Sequence, residues 1–272
     1  MPLTLQPFDA PPGPLAELPL LRLEQAGPVL HVRLNRPAKR NSISDELLAQ
    51  VQAVFSNLPK SFRVAVLSGE GDHFCAGLDL SEVLARNTTE AILHSRMWHA
   101  CFERIQFAPV PVIAVLHGAV VGGGLELASS AHLRVAEDSA YFGLPEGTRG
   151  IFVGGGGSVR ISRLLGTSRM TDMMLTGRVF DADEGQAIGL SNYRVRDGEG
   201  LAKALALAEK IAANAPLSNF AITQALPRIA DLPPGEGLFV ESLMAAIAES
   251  DPGAQERVRA FLEKRAGKVQ KG

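Results

Sequence analysis

The chain has 272 residues, of which 46% are hydrophobic and 21% are charged. This composition excludes a disordered or fibrous protein, and the length predicts one large domain with at most a small appendage. The 27 basic and 29 acidic residues leave a net charge of −2, which gives no global attraction to nucleic acid or anionic lipid. Two cysteines cannot form a disulfide framework, and the N-terminus lacks a basic segment followed by an apolar one. We therefore expect a cytoplasmic protein without a signal peptide.

The first half of the chain predicts an extended tail followed by alternating strands and helices. Prolines are dense in residues 1–19, which disfavours regular helix or sheet there. Periodicity and capping signals then define the next elements. They are a half-buried strand at 30–34, a helix from the Ser44 cap to about Leu58, a strand at 63–68, and a helix with the apolar face Leu93, Met97, Cys101 and Ile105.

The second half continues the alternation and then becomes purely helical. The nearly uncharged stretch 107–125 contains too many prolines and glycines for a membrane helix, and is better explained as a buried strand, a turn and a helix start. Alternating strands and helices predict an α/β core with parallel strands. The predicted parts are a tail at 1–19, a core at 20–200 and a helical C-terminal unit at 201–272. Within the core we expect strands at 111–116, 133–136 and 193–196, and helices from about 123, at 158–165 and at 170–175.

Two glycine-containing loops are the first candidates for a catalytic site. Gly122–Gly124 begin the predicted helix after the 111–116 strand, where backbone N–H groups at the positive end of the helix dipole can stabilise a developing oxyanion. A tight packing turn between strand and helix would use the same glycines. In the loop 71–80, Gly77 permits a kink that exposes the following N–H, although such a loop is also common between a strand and a helix.

Several familiar sites are absent from the sequence. Neither Gly122–Gly124 nor Gly154–Gly157 completes the dinucleotide-binding pattern GxGxxG, and neither is followed by the Lys-Ser/Thr of a phosphate-binding loop. No serine stands in GxSxG, and the histidines have no usual zinc-site spacing. We therefore expect no metal and no cofactor.

Several short motifs follow one another over about residues 20–266. They are Asn35-Arg36-Pro37 with Asn41, FCAGLDL (74–80), PVIAVLHGAVVGGGLELA (111–128), YFGLPE (141–146), the glycine run before Ser158, Leu175-Thr176-Gly177, Ala187 to Leu190, and AFLEKR (260–265). In this order the motifs resemble the enoyl-CoA hydratase/isomerase (crotonase) superfamily, and FCAGLDL and GGGLEL are the most specific parts of the resemblance.

The resemblance implies a crotonase-like core of repeated β-β-α turns and a C-terminal helical unit that assembles trimers or hexamers. It also implies an acyl-CoA thioester substrate, with coenzyme A present only as part of the substrate. The thioester oxygen would accept hydrogen bonds from the N–H groups of Leu78 and Gly123. The substrate or CoA-binding residues would be Lys39, Arg40, Ala76, Asp79 and Leu80, with Phe261 and Lys264 from a neighbouring subunit.

Glu126 and Glu146 match the two catalytic glutamates of enoyl-CoA hydratases. Hydration of an unsaturated thioester needs one group that deprotonates water and one that moves a proton at Cα, and two carboxylates around one water supply both. Glu126 lies between two leucines, so partial burial would raise its pKa. Taken alone, Glu126 would equally serve as a first-turn helix carboxylate, and Glu146 as a surface acid.

The leading interpretation is therefore a 2-enoyl-CoA hydratase. The alternatives are an enoyl-CoA isomerase, a thioester or C–C bond hydrolase, and a binding homologue without catalysis. Some family members bind RNA, but this chain has no basic run. It departs from familiar hydratases at Gly147-Thr148-Arg149, in the long run Gly154–Gly157, and at Ser81, where lysine is frequent. Arg149 is either a solvated or structural residue or a contact for a polar acyl group, and Trp98, Met97, His94 and His99 are expected to be packing and surface residues.

Overall fold

The computed structural model describes residues 3–82, 86–263 and 265. The chain forms two compact units, one up to Ala212 and one from Ala213 onward. The strands of the first unit are β1 (Gln6–Pro7), β2 (Leu21–Ala26), β3 (Val29–Leu34), β4 (Val64–Gly69), β5 (Val112–Leu116), β6 (Ala119–Val121), β7 (Leu133–Glu137), β8 (Tyr141–Gly143), β9 (Val179–Phe180) and β10 (Tyr193–Val195). Its helices are α1 (Asp45–Ser56), α2 (Thr88–Gln106), α3 (Gly123–Ser130), α4 (Gly157–Leu165), α5 (Thr167–Thr176), α6 (Ala182–Ala187) and α7 (Gly200–Ala212), and the second unit contains α8 (Pro216–Ile229), α9 (Pro234–Glu249) and α10 (Pro252–Leu262).

A mixed sheet forms the centre of the first unit. Its described strands follow the order β1-β2-β3-β4-β5-β7-β10, in which β1, β2 and β3 pair antiparallel and the strands from β3 to β10 pair parallel. A smaller sheet contains β6, β8 and β9. The predicted α/β architecture with parallel strands and helical crossovers is confirmed.

Helices cover both faces of the central sheet. Along β5, Val112, Ala114 and Leu116 pack into one core, whereas Ile113 and Val115 face a second core that includes Ala204 and Ala208 of α7. Because strands alternate their side chains between two faces, burial of both faces requires this second cover. The C-terminal helical unit was expected from residue 201, but α7 belongs with the sheet and the compact unit ends at Ala212.

The covering by α7 also explains why β3 is more buried than its alternating pattern predicts. His31 was expected on a solvated face, but its ring is fully buried. Its Nε2 lies 2.7 Å from Ser68 Oγ, and its Nδ1 lies 3.0 Å from Glu24 Oε2. A histidine in a strand is compatible with burial where both ring nitrogens have partners, and the sequence pattern does not reveal those partners.

The proline-rich N-terminal segment is packed against the sheet and differs here from the expected extended tail. Gln6 and Pro7 pair with β2, and the ring of Phe8 contacts that of Phe62 at 5.3 Å between centroids. Proline is tolerated in β1 because an edge strand has no need of every N–H donor. Leu15 is buried as well.

Helix α2 packs into the core along its C-terminal half only. Cys101 and Ile105 are buried as predicted, together with Trp98 and Phe102. Leu93 was expected on the same apolar face, but its side chain is 63% exposed. The N-terminal half of α2 instead borders a cavity that is described below.

Two kinds of feature are absent from the described residues. None of the helices there is both long and apolar enough to span a bilayer. The same residues contain no group of three or more His, Cys, Asp or Glu side chains that is arranged to hold a metal ion.

Candidate active site

Two loops place the N–H groups of Leu78 and Gly123 side by side. Ile43 donates to Gly77 O at 2.7 Å and accepts from Asp79 N at 2.9 Å, so the N–H of Leu78 between them faces the opposite side. Gly123 is the first residue of α3, where an N–H has no partner within the helix. A Cβ on Gly123 would lie 3.4 Å from Leu78 N. Among the described residues, neither N–H is paired with an acceptor of the chain.

Glycine is required where the two loops touch. Gly77 has φ +99°, and a Cβ there would lie 2.9 Å from Val121 O. A Cβ on Gly124 would lie 2.2 Å from Cys75 O. Any side chain at these positions would push the loops apart, and with them the two N–H groups.

Glu126 lies in the first turn of α3 and is only 3% exposed. Its Oε1 accepts hydrogen bonds from Gly155 N and Gly157 N, both at 2.8 Å. Burial raises the pKa of Glu126, whereas these N–H groups and the charge of Arg160 act against the rise. The side chain is thus a buried carboxylate with one oxygen fully engaged.

Glu146 follows β8 and is 6% exposed. Its Oε2 is buried and has no hydrogen-bond partner within the described part of the chain. Burial raises the pKa of Glu146 to about 7; the negative charge of Glu126 adds to the rise and Arg149 opposes it. Near neutral pH this carboxyl group is therefore partly protonated.

Both glutamates and both N–H groups border one cavity of about 590 Å³. The remaining wall comes from α2 and from the loop that contains Ile151 and Phe152. Ala76 and Leu80, two of the predicted binding residues, also line it. The structure therefore brings the two predicted acids and the two predicted N–H donors together around one space.

A second recess of about 310 Å³ adjoins the first, since Ala76, Leu78, Leu80 and Arg149 line both. This recess is also lined by Lys39, Arg40 and Asp79, three further residues that were predicted to bind the substrate or CoA. Of the predicted residues in the C-terminal segment, Phe261 is exposed on α10, in the second unit. Lys264 lies outside the described residues.

Asp79 is engaged by Ser81 of its own loop and by Arg36 from the segment after β3. Its Oδ1 accepts from the hydroxyl of Ser81 at 2.7 Å, and its Oδ2 accepts from Arg36 Nη2 at 3.1 Å. The Ser81 hydrogen bond and the Arg36 guanidinium lower the pKa of Asp79. The carboxylate stabilises the turn that carries Leu78 and Leu80 past the cavity.

Sequence reasoning missed some of the residues at this site. Gly155 and Gly157 donate to Glu126, and the unusual length of the Gly154–Gly157 run was the available signal. Trp98 packs in the core as expected, but it also lines the cavity. His94 and His99, which were expected to be packing or surface residues, line the cavity as well. Trp98 packs so closely that a Cβ on Gly123 would lie 2.7 Å from its ring.

Comparison with known proteins relates the chain to one family. The sequence profile described as enoyl-CoA hydratase/isomerase matches residues 24–271. The chain belongs to the enoyl-CoA hydratase/isomerase family. The predicted resemblance to this family and the predicted fold are thereby confirmed.

Individual members of the enoyl-CoA hydratase/isomerase family align over nearly the whole chain. A solved structure of a candidate enoyl-CoA hydratase from Rhodopseudomonas palustris shares 55% identity with a TM-score of 0.88, covering 93% of this chain and 98% of that one. The short-chain-enoyl-CoA hydratase of Clostridium acetobutylicum is 34% identical, covering 92% of this chain and 97% of its own. The 2,3-dehydroadipyl-CoA hydratase of Escherichia coli is also 34% identical, with coverages of 87% and 93%.

Proposed function

We propose that this protein adds water across the C2=C3 double bond of 2-enoyl-CoA thioesters and forms 3-hydroxyacyl-CoA. The observation that carries the proposal is that two buried carboxylates, Glu126 and Glu146, share a cavity with two N–H groups available to a ligand. Water addition to a conjugated thioester needs a base, an acid and donors for the thioester oxygen, and this cavity contains all of them. The names of the relatives support the same reaction.

Glu126 is the base in this proposal. Hydrogen bonds from two N–H groups stabilise its ionised form relative to its protonated form. The carboxylate takes a proton from water while the water oxygen forms a bond to C3. The π electrons of the double bond shift to the thioester oxygen, and the enolate is stabilised by the N–H groups of Leu78 and Gly123.

Glu146 is the acid. Because its pKa is raised to about 7, a large fraction is protonated at neutral pH, and this proton goes to C2 as the enolate returns to the thioester. Glu126 has then gained one proton and Glu146 has lost one. Transfer of one proton from Glu126 to Glu146 restores the pair, so the reaction balances with water as the only co-substrate.

The recess next to the cavity is proposed to hold the CoA part of the substrate. Lys39 and Arg40 supply positive charge for its phosphates, and Ala76 supplies backbone groups. Phe261 and Lys264 are proposed to contact CoA from a neighbouring subunit. The proposed chemistry transfers protons and no electrons, so we propose that it requires no metal or redox cofactor.

Enoyl-CoA isomerisation is the second candidate. One observation favours it: the two acids are held differently, since Glu126 Oε1 is fixed by two N–H groups whereas Glu146 Oε2 has no partner among the described residues. A single unrestrained carboxyl group could move a proton between two carbons while the other acid took no part. Turnover of a 3-enoyl-CoA that depended on only one of the two acids would identify this reaction.

The two-acid mechanism is tested by Glu126→Gln and Glu146→Gln. Each substitution preserves shape and removes a proton-transfer group, so each should lower kcat for hydration by about 10²–10⁴-fold. Because both acids act on one transition state, the double variant should lose far less than the product of the two single losses. Loss of absorbance of the conjugated enoyl thioester measures the rate.

Glu209→Gln is the matched control, because Glu209 is exposed on α7 and does not line the cavity. It should hydrate enoyl-CoA at the wild-type rate. Hydration by Glu126→Gln at a near-normal rate would contradict the two-carboxylate mechanism.

A further inference from the structure

The glycine run that contacts Glu126 is held from its other side by an arginine. Gly156 has φ +94°, and this left-handed residue lies between Gly155 and Gly157, whose N–H groups both bind Glu126 Oε1. Backbone N–H groups on either side of a left-handed residue can converge on one anion. A Cβ on Gly157 would lie 2.8 Å from Glu126 Cγ, so the run rests directly on this carboxylate side chain.

Arg160 supplies the opposite contact. Its Nη1 donates to Gly155 O at 2.9 Å, and its Nε donates to Gln106 Oε1 at 2.6 Å. A Cβ on Gly156 would lie 2.4 Å from Nη1, which shows how closely the guanidinium fits against the loop. Gln106 ends α2, so the arginine links this helix to the glycine run. Arg160 does not line the cavity and has no contact with the space in which substrate is proposed to bind.

We propose that Arg160 is a positioning residue for Glu126, acting through the glycine run that it holds from the side opposite the carboxylate. This inference rests on the proposed role of Glu126 as the base. By fixing the Gly155 carbonyl, Arg160 fixes the peptide planes whose N–H groups hold Oε1. Oε2 then remains as the oxygen available to water. The guanidinium charge also favours the ionised carboxylate across the loop.

The charged groups around this pair determine the expected pH effect. Burial raises the pKa of Glu126, and Arg160 is the positive group that lowers it, while Glu126 in turn raises the pKa of Glu146. Removal of the Arg160 charge should therefore raise the pKa of Glu126 further. The other titratable groups that face Arg160 are Glu103, Arg163, Cys101 and His99.

The test compares Arg160→Gln with Arg160→Lys over a range of pH. Arg160→Gln removes the charge and one of the two donors, so kcat should fall at least about tenfold. The acid limb of the kcat profile, where kcat falls because Glu126 becomes protonated, should move to higher pH. KM for the thioester should stay nearly unchanged. Arg160→Lys keeps the charge but cannot hold both acceptors, so its kcat should fall while the acid limb stays close to the wild-type position.

Arg163→Gln is the matched control on the same helix, since Arg163 is exposed and does not line the cavity. It should retain the wild-type kcat and acid limb. If Arg160→Gln behaves like Arg163→Gln in both respects, the inference is wrong. A merely structural role for Arg160 would lower the melting temperature and kcat without moving the acid limb, and this result would also overturn it.

A second readout is independent of turnover. In protein labelled with carbon-13 at the glutamate carboxyl groups, the signal that Glu126→Gln removes reports the titration of Glu126. Its midpoint should lie at higher pH in Arg160→Gln than in wild type, and an unchanged midpoint would contradict the inference. If the wild-type protein hydrates no enoyl-CoA, the proposed function fails, but this titration still decides whether Arg160 acts on Glu126.

Discussion

At the scale of single residues, the environment of Glu146 decides how activity depends on pH. Burial raises its pKa to about 7, and the proton it carries is the one proposed for C2. The protonated fraction falls as pH rises through the pKa, so kcat should decline above about pH 7. Coupling to Glu126 makes the apparent value a property of the pair.

Substitution of Arg149 offers a way to shift this decline in kcat, which is the basic limb of the pH–rate profile. Its positive charge lowers the pKa of Glu146, and it borders both the cavity and the adjoining recess. Arg149→Gln should therefore raise the pKa of Glu146 and move the decline in kcat to higher pH, as measured in a pH–rate profile. Arg163→Gln serves again as the control. A basic limb that moved to lower pH in Arg149→Gln would contradict this assignment.

At the scale of elements, Asn41 holds the segment between β3 and α1 against the end of β4. Its Oδ1 accepts from Arg36 N at 2.9 Å, and its Nδ2 donates to Glu70 O at 2.9 Å and to His73 O at 2.7 Å. The residue is buried and has φ +53°, a conformation that asparagine tolerates better than most residues. The sequence motif around Asn35-Arg36-Pro37 thus has a structural explanation.

Asn41→Ala should destabilise the protein by about 3 kcal/mol, because it leaves a buried N–H and two carbonyl groups without partners. Asn57→Ala is a suitable control, since Asn57 is exposed and has one side-chain hydrogen bond, to Ala53 O at 2.8 Å. It should cost less than about 1 kcal/mol. Urea unfolding measures the free energy of unfolding of both variants. Equal losses of this free energy in the two variants would contradict the assignment of Asn41 as an anchor.

At the scale of the whole molecule, the second unit exposes many large apolar side chains. Exposed surfaces of this kind mark interaction sites, and the family resemblance implies trimers. Light scattering should give a mass that is a multiple of three subunits. The exposed apolar side chains of this unit include Phe220, Ile222, Leu226, Leu238, Phe239, Leu243, Val258, Phe261 and Leu262.

A charged substitution within this exposed apolar surface tests whether the surface mediates association. Phe239→Asp should lower the measured mass, because it places a charge on a surface that association would bury. Leu175→Asp is the control, since Leu175 is a comparably exposed residue of the first unit. A wild-type protein that stays monomeric at micromolar concentration would contradict trimer formation.

The sequence by itself determined the family, five strands of the central sheet and the four predicted groups that the structure places around one cavity. The local sequence shows a glycine before Leu78 and a helix start at Gly123 and Glu126, whereas only the family resemblance selected Glu146. The predicted α1 is also local, because Ser44 caps it by accepting a hydrogen bond from Leu47 N. Such features depend on neighbouring residues, which sequence periodicity and capping rules report directly.

The tertiary structure alone decided which distant segments meet. Gly155 and Gly157 bind a carboxylate 29 and 31 residues earlier in the chain, and nothing in the local pattern of the glycine run indicates that partner. His31 is buried because α7, about 170 residues later, covers the second face of the sheet. These outcomes depend on long-range packing, where the burial of a side chain is set by the element that lies on it and not by its own neighbours in sequence.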